Sequence, residues 1–215
     1  MAVTATTELE AVNNILYALN EAPVTALGSN QSVLSNRVQA VLTQVSREVQ
    51  LQGWAFNLDF PVTLTESGGE IPVPADSLWV KVSSGGSNGL VVGTSFVGNE
   101  HIIERARKLF KRGTQSYAFD TGETVENVLV CRALDFADLP EVAKTLIYLK
   151  ALRRISATVK PNAQRDASLR ADELRAHGDL LEQEGLQDSL TIFDNYDAYQ
   201  SIDRGNPGTE GPSWR

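Results

Sequence analysis

The chain has 215 residues, 42% hydrophobic and 21% charged, a composition expected of a soluble globular protein with one large domain or two small ones. No run of about 18 consecutive apolar residues occurs, and MAVTATTELE lacks a basic start before an apolar stretch, so neither a membrane span nor a secretory signal is predicted. The net charge of −8 argues against a fold devoted to gripping nucleic acid, because phosphates call for a basic face.

A first helix is predicted from about Glu8 to Glu21. Thr7 and Glu10 have capping-box spacing, Leu9, Val12, Leu16 and Leu19 recur at helical intervals with Ile15 beside them, and Pro23 is taken as the stop. A second helix is predicted from about Ser32 to Gln52, with Leu34, Val38, Val41, Leu42, Val45 and Val49 in one stripe and Gly53 as the terminator. A short turn joins them as an αα-hairpin that cannot bury its stripes alone.

At Trp54 the pattern changes. AFNLDFPVTLTE alternates like a strand, with Pro61 marking an edge or a bulge. ESGGE reads as a turn, IPVPADSLWVKVSS as an extended piece and a strand, SSGGSNG as a loop, and LVVGTSFVG as a short strand and turn. HIIERARKLFKRGTQSYAFD has the composition of a basic helix. It is predicted instead to be a hairpin turning at Arg112-Gly113-Thr114, with Leu109, Tyr117 and Phe119 in strand-like company. TVENVLVCRAL reads as a buried strand with Val125, Val128 and Val130 toward the core. The single cysteine, Cys131, reads there as a small buried hydrophobe, and one cysteine excludes an intramolecular disulfide or a cysteine zinc site.

Asp138, Pro140 and Glu141 suit the start of a third helix, with Val142, Leu146, Leu149, Leu152, Ile155 and Val159 on its apolar face up to Pro161. Asn162 caps a fourth, running to about Glu184. Arg165, Asp166, Arg170, Asp172, Glu173 and Arg175 make it polar, and Ala167, Ala171, Leu174 and Leu181 give it a narrow apolar stripe. Such a helix is either a solvated outer layer or awaits a partner. The last segment gathers Gly and Pro yet carries Phe193, Tyr196, Tyr199 and Trp214. Aromatics on such an arm suggest anchors on another subunit; the alternative is an arm folded back on its own domain. The fold class is therefore α+β. A discontinuous helical bundle (residues 1–53 and 138–185, two helices from each) is interrupted by an antiparallel β-rich insert (54–137) and followed by an extended C-terminal arm (186–215).

Chemistry is sparse. The two histidines, His101 and His177, lie in different parts of the chain, and His101 with Glu104 lacks a third metal ligand. No GxSxG, P-loop, HExxH or dinucleotide motif occurs. Asp59, Glu66 and Glu70 could form a carboxylate pair of glycosidase type, with Trp54 or Trp79 as a sugar platform. The basic run Arg105, Arg107, Lys108, Lys111, Arg112 could meet DNA phosphates, an acidic patch on a neighbouring subunit, or solvent; the neighbour is the favoured partner in an acidic protein. No catalytic, cofactor-binding or metal-ligating residue is predicted. The candidate partner contacts are Phe193, Tyr196, Tyr199, Trp214, Arg107, Lys108, Lys111 and Arg112.

Taken in order, LEAVNNILYALNEAPV (9–24), VLTQVSREVQLQGWAFN (41–57), LFKRGTQSYAFD (109–120) and LDFADLPEVAKTLIYLKALR (134–153) resemble the tail tubular protein A family, the adaptor or gatekeeper proteins of T7-like short-tailed bacteriophages. The resemblance implies a structural virion protein of the tail, assembled in the host cytoplasm as a ring of about twelve copies. Such a ring joins the portal protein to the tail nozzle protein, supports tail fibre attachment and lets DNA pass through its channel. Net acidity suits a channel along which DNA slides. Some members have been credited with polysaccharide degradation, which keeps a capsule-degrading enzyme as the alternative.

Overall fold

A computed structural model describes residues 6–28, 32–82, 96–97 and 100–187. In chain order they form α1 (Glu8–Ala18), α2 (Val33–Gln50), β1 (Leu58–Thr65), β2 (Ser77–Val82), β3 (Phe96–Val97), β4 (Glu100–Arg105), β5 (Lys108–Lys111), β6 (Thr124–Arg132), α3 (Glu141–Val159) and α4 (Ala163–Gln187), with short 3-10 turns at Ala55–Asn57 and Phe136–Asp138.

The capping box at α1 is complete. Glu10 N donates to Thr7 Oγ1 at 3.2 Å and Thr7 N to Glu10 Oε2 at 2.8 Å, so each end amide is satisfied by the other residue's side chain. The helix ends at Ala18, short of the predicted Glu21. Asn20 adopts a left-handed conformation (φ 56°), its N–H bonds Tyr17 O, and Glu21 N bonds Leu16 O at 2.9 Å. This is a Schellman stop built on asparagine, so Pro23 is not what terminates the helix. The loose carbonyls of Ala18 and Leu19 accept from Arg165 and Lys160, which fastens the end of α1 to the α3–α4 turn.

Both helix pairs feed one core. Val12, Ile15 and Leu16 of α1, Val38, Leu42, Val45 and Val49 of α2, Leu146, Ile147, Leu152 and Ile155 of α3, and Ala176 and Leu180 of α4 are all buried in it. α3 packs against both α2 and α4. Arg154 grips Glu48 of α2 through two bonds of 2.9 and 2.8 Å, and Arg153 reaches Asp166 and Glu173 of α4 at 2.8 and 3.1 Å. The predicted apolar stripe of α4 is not its packing face: Ala167, Ala171, Leu174 and Leu181 all point outward, while Ala176 and Leu180 carry the contact with the core.

A second core belongs to the β insert and gathers Leu64, Ile71, Val73, Val82, Ile102, Leu109, Phe119, Val125, Val128 and Val130. One antiparallel sheet has the order β1-β6-β2 and the other β3-β4-β5. β6 is central and buried on both faces, which explains its nearly continuous apolar run. Val125 and Val128 face one core although three residues apart. The strand bulges between them, with Asn127 left-handed (φ 55°). β1 is an edge strand, and its pairing slips at Phe60-Pro61, the edge irregularity predicted from the proline.

The predicted turn at Arg112-Gly113-Thr114 exists, and an unpredicted hairpin precedes it. β4 and β5 are joined by Ala106-Arg107, both left-handed (φ 54° and 62°), between the paired residues Arg105 and Lys108, the geometry of a type I′ turn. Arg112-Gly113-Thr114 lies in a second, separate reversal closed by the Lys111–Ser116 bridge. The loop predicted at SSGGSNG and most of LVVGTSFVG lie outside the described residues; within the latter, Phe96–Val97 forms β3.

Candidate partner-contact surfaces

Where the helical core meets the β insert, side chains replace water as hydrogen-bond partners. Gly53 (φ 74°) turns the chain, and a Cβ there would lie 2.8 Å from Trp79 Cζ2, so only glycine fits. Trp54 follows, 5% exposed, with Nε1 donating to Val49 O at 2.8 Å and its ring meeting His177 edge-on at 6.1 Å. Buried Asn57 accepts from Trp54 N at 2.8 Å and donates to Gln50 O at 2.9 Å and Arg132 O at 3.0 Å. Gln50 accepts from Leu134 N at 2.7 Å, and Glu184 of α4 accepts from Ala55 N at 2.7 Å. Helix α2, strand β6 and the end of α4 are thereby tied at one point. Cys131 lies in this junction, fully buried 3.3 Å from Asn57 Nδ2, and burial pushes its thiol up to about 11. It is held away from the thiolate form that reactive cysteines need.

The basic run is largely used by the fold. The Arg107 guanidinium donates to Ser77 O (2.6 Å), Pro74 O (2.6 Å) and Ala75 O (2.8 Å), which holds a turn that has no glycine to favour it. Lys108 pairs with Glu70, and Lys111 pairs with Glu123 at 3.4 Å while lying over Phe119. Arg105 stacks on Phe110 at 4.2 Å. Arg105 and Arg112 are exposed. Of the predicted arm anchors, Phe193, Tyr196, Tyr199 and Trp214 lie outside the described residues.

The acidic candidates are likewise engaged. Asp59 accepts from Arg132 Nε at 2.7 Å, Glu70 holds Lys108, and Glu104 accepts from Val80 N at 2.9 Å. Glu66 accepts from Gly122 N at 3.0 Å and Gly69 N at 2.5 Å, and these amides hold its carboxyl below the usual carboxylate range. A glycosidase acid needs the opposite shift. Trp54 is buried and Trp79 half-buried with its indole N–H on Leu51 O, so neither presents an open platform. His101 sits in β4 and His177 in α4 against Trp54. Among the described residues no three His, Cys, Asp or Glu side chains converge to hold a metal ion, and no helix is long and apolar enough to cross a membrane.

Two open surfaces of the helical body stand out among the described residues. An exposed groove of about 550 Å³ runs along the outer side of α2, lined by Asn36, Gln39, Ala40, Thr43, Gln44 and Arg47. Along α4, Leu174 (65%), Leu181 (51%) and Leu186 (75%) are exposed, the first two on one face. The sequence pointed to Leu174 and Leu181 as apolar stripe residues; Leu186, read as the start of the arm, was missed.

The family model for tail tubular proteins matches residues 9–190, both helix pairs and the β insert together. No curated protein matches the chain.

Proposed function

Since the chain belongs to the tail tubular protein family, a family of structural components of the phage virion tail, we propose that it is the tail adaptor. In this reading about twelve copies close a ring that joins the portal protein to the tail nozzle protein, supports fibre attachment and surrounds the channel through which DNA leaves. Residues 1–53 and 138–185 act as one helical unit with the 54–137 insert set into it. The supporting observation is the extent of the family match, which runs through α4. A ring needs two unlike complementary faces on each subunit. The outward leucines of α4 and the groove of α2, lined by Asn36, Gln39, Thr43 and Arg47, are two separate surfaces on one helical body. The excess of acidic residues would keep DNA from adhering to the channel wall.

The chain is read as a non-enzyme, since its candidate carboxylates bind arginine, lysine and backbone amides of the same fold. No observation favours the capsule-degrading alternative.

Particles assembled without this chain test the reading. They are expected to package DNA and to lack nozzle and fibres. Particles with complete tails would overturn it.

A further inference from the structure

α4 touches the rest of the molecule through Leu169, Ala176, His177 and Leu180, the ion pairs of Arg153, and the hydrogen bonds of Arg165 and Glu184. On its other side Ala167, Ala171, Leu174, Gly178 and Leu181 follow one another at alternating four- and three-residue intervals, which places them in a single seam along the helix. All five are exposed. Among the described residues none explains Gly178. A Cβ at Gly178 would meet no atom within 4 Å, and glycine weakens a helix interior relative to alanine. A small residue between two exposed leucines does suit the close approach of another chain.

The seam is also graded in charge. Exposed Arg170 and Arg175 lie beside Leu174, Arg175 also reaching Asp172 at 3.3 Å, whereas exposed Glu182 lies beside Leu181. Its basic half therefore fits an occupant that is both apolar and acidic. The chain itself carries such a segment outside the described residues. Between 188 and 203, Ile192, Phe193 and Tyr196 are interleaved with Asp188, Asp194 and Asp197, and no Lys or Arg occurs before Arg204.

We propose that the α4 seam around Leu174 is the docking site for the 188–203 segment of a neighbouring copy of this chain. The segment starts where α4 ends, so returning along its own helix would lay its aspartates beside Glu182 before it reached the arginines. Like charges in that arrangement repel. A segment arriving from another copy has no such constraint: Phe193 and Tyr196 cover Leu174 while Asp194 and Asp197 meet Arg170 and Arg175. The inference rests on the reading that copies assemble, and it names the surface through which they do so.

The full chain tests this by cross-linking. One tagged copy carries Leu174→Cys, a differently tagged copy carries Phe193→Cys, and the mixture is treated with a short bismaleimide, alone and with portal rings. Cys131 is silent because it is buried with its thiol near 11. The expected product is a covalent pair containing both tags, absent when Phe193→Cys is paired with exposed Thr43→Cys. A link formed only within one chain carrying both substitutions, a link only to the portal, or no link in a preparation that native mass spectrometry shows to be assembled would each overturn the docking site and leave the ring reading standing. A chain that stays monomeric even with portal rings overturns both. Charge exchange provides a second readout: Arg170→Glu with Arg175→Glu is expected to weaken association ~tenfold, and Asp194→Lys with Asp197→Lys is expected to restore it. Loss without restoration would contradict the pairing.

Discussion

Replacing Asn57 tests the junction between the two cores. Asn57 accepts one backbone bond, from Trp54 N, and donates to two backbone carbonyls, those of Gln50 and Arg132, at 2.8–3.0 Å. Asn57→Ala leaves all three groups without this partner. Each net bond contributes about 0.5–1.5 kcal/mol, and an unpaired buried group costs more, so a loss of roughly 2–4 kcal/mol is expected. Asn57→Asp keeps the size and the acceptor for Trp54 N, but an ionised carboxylate then faces two carbonyl oxygens. Burial and those oxygens raise its folded-state pKa above the unfolded value. The relative stability of the Asp variant is therefore greatest at low pH and lost as pH rises through the folded-state pKa. Urea unfolding followed by far-UV circular dichroism at pH 5 and pH 7 reads both effects. The reasoning fails if Asn57→Ala costs less than about 1 kcal/mol, or if Asn57→Asp is more stable at pH 7 than at pH 5 relative to wild type.

Three further expectations follow from the same structure. Trp54→Ala removes a side chain only 5% exposed and is expected to lower stability by about 3–5 kcal/mol in the same unfolding assay; a near-neutral result would place the ring outside the core. Glu48 is held below its ordinary range chiefly by the hydrogen bond from Arg154, so this pair stabilises the fold above the unfolded carboxylate pKa and the contribution fades as pH falls through the lowered one. Both side chains are about a third exposed, which limits the effect to roughly 1 kcal/mol or less; Arg154→Met should flatten that part of the acid unfolding profile, and an unchanged profile would argue against the pairing. Cys131 should resist thiol reagents in the folded chain and react fully in denaturant, so rapid labelling of native protein would contradict its burial.

The features legible in the sequence are those set by local chemistry. Thr7 with Glu10, the Val and Leu stripe of α2, Gly53, and Asn162 before α4 all act within a few residues of themselves. The missed features depend on distant partners. Ala106-Arg107 carries no glycine or asparagine to announce a type I′ turn; it is held by Arg107 reaching carbonyls about thirty residues away. Asn20 stops α1 before Pro23 because a left-handed asparagine is an allowed cap, and Arg165 and Lys160 supply the donors its last carbonyls need. On α4, Leu174 and Leu181 give a narrow apolar stripe, legible as belonging to a solvated layer or awaiting a partner, and it does not show which face packs on the core. The face that packs is the one where Arg153 can reach Asp166 and Glu173, with Leu169, Ala176 and Leu180 supplying its apolar contact.

Native mass spectrometry of the full chain bound to its portal tests the central claim most directly. The account predicts one closed ring of about twelve copies on each portal, with no partially filled series at saturating protein. A chain that binds the portal as separate monomers, or does not bind it, would contradict the account.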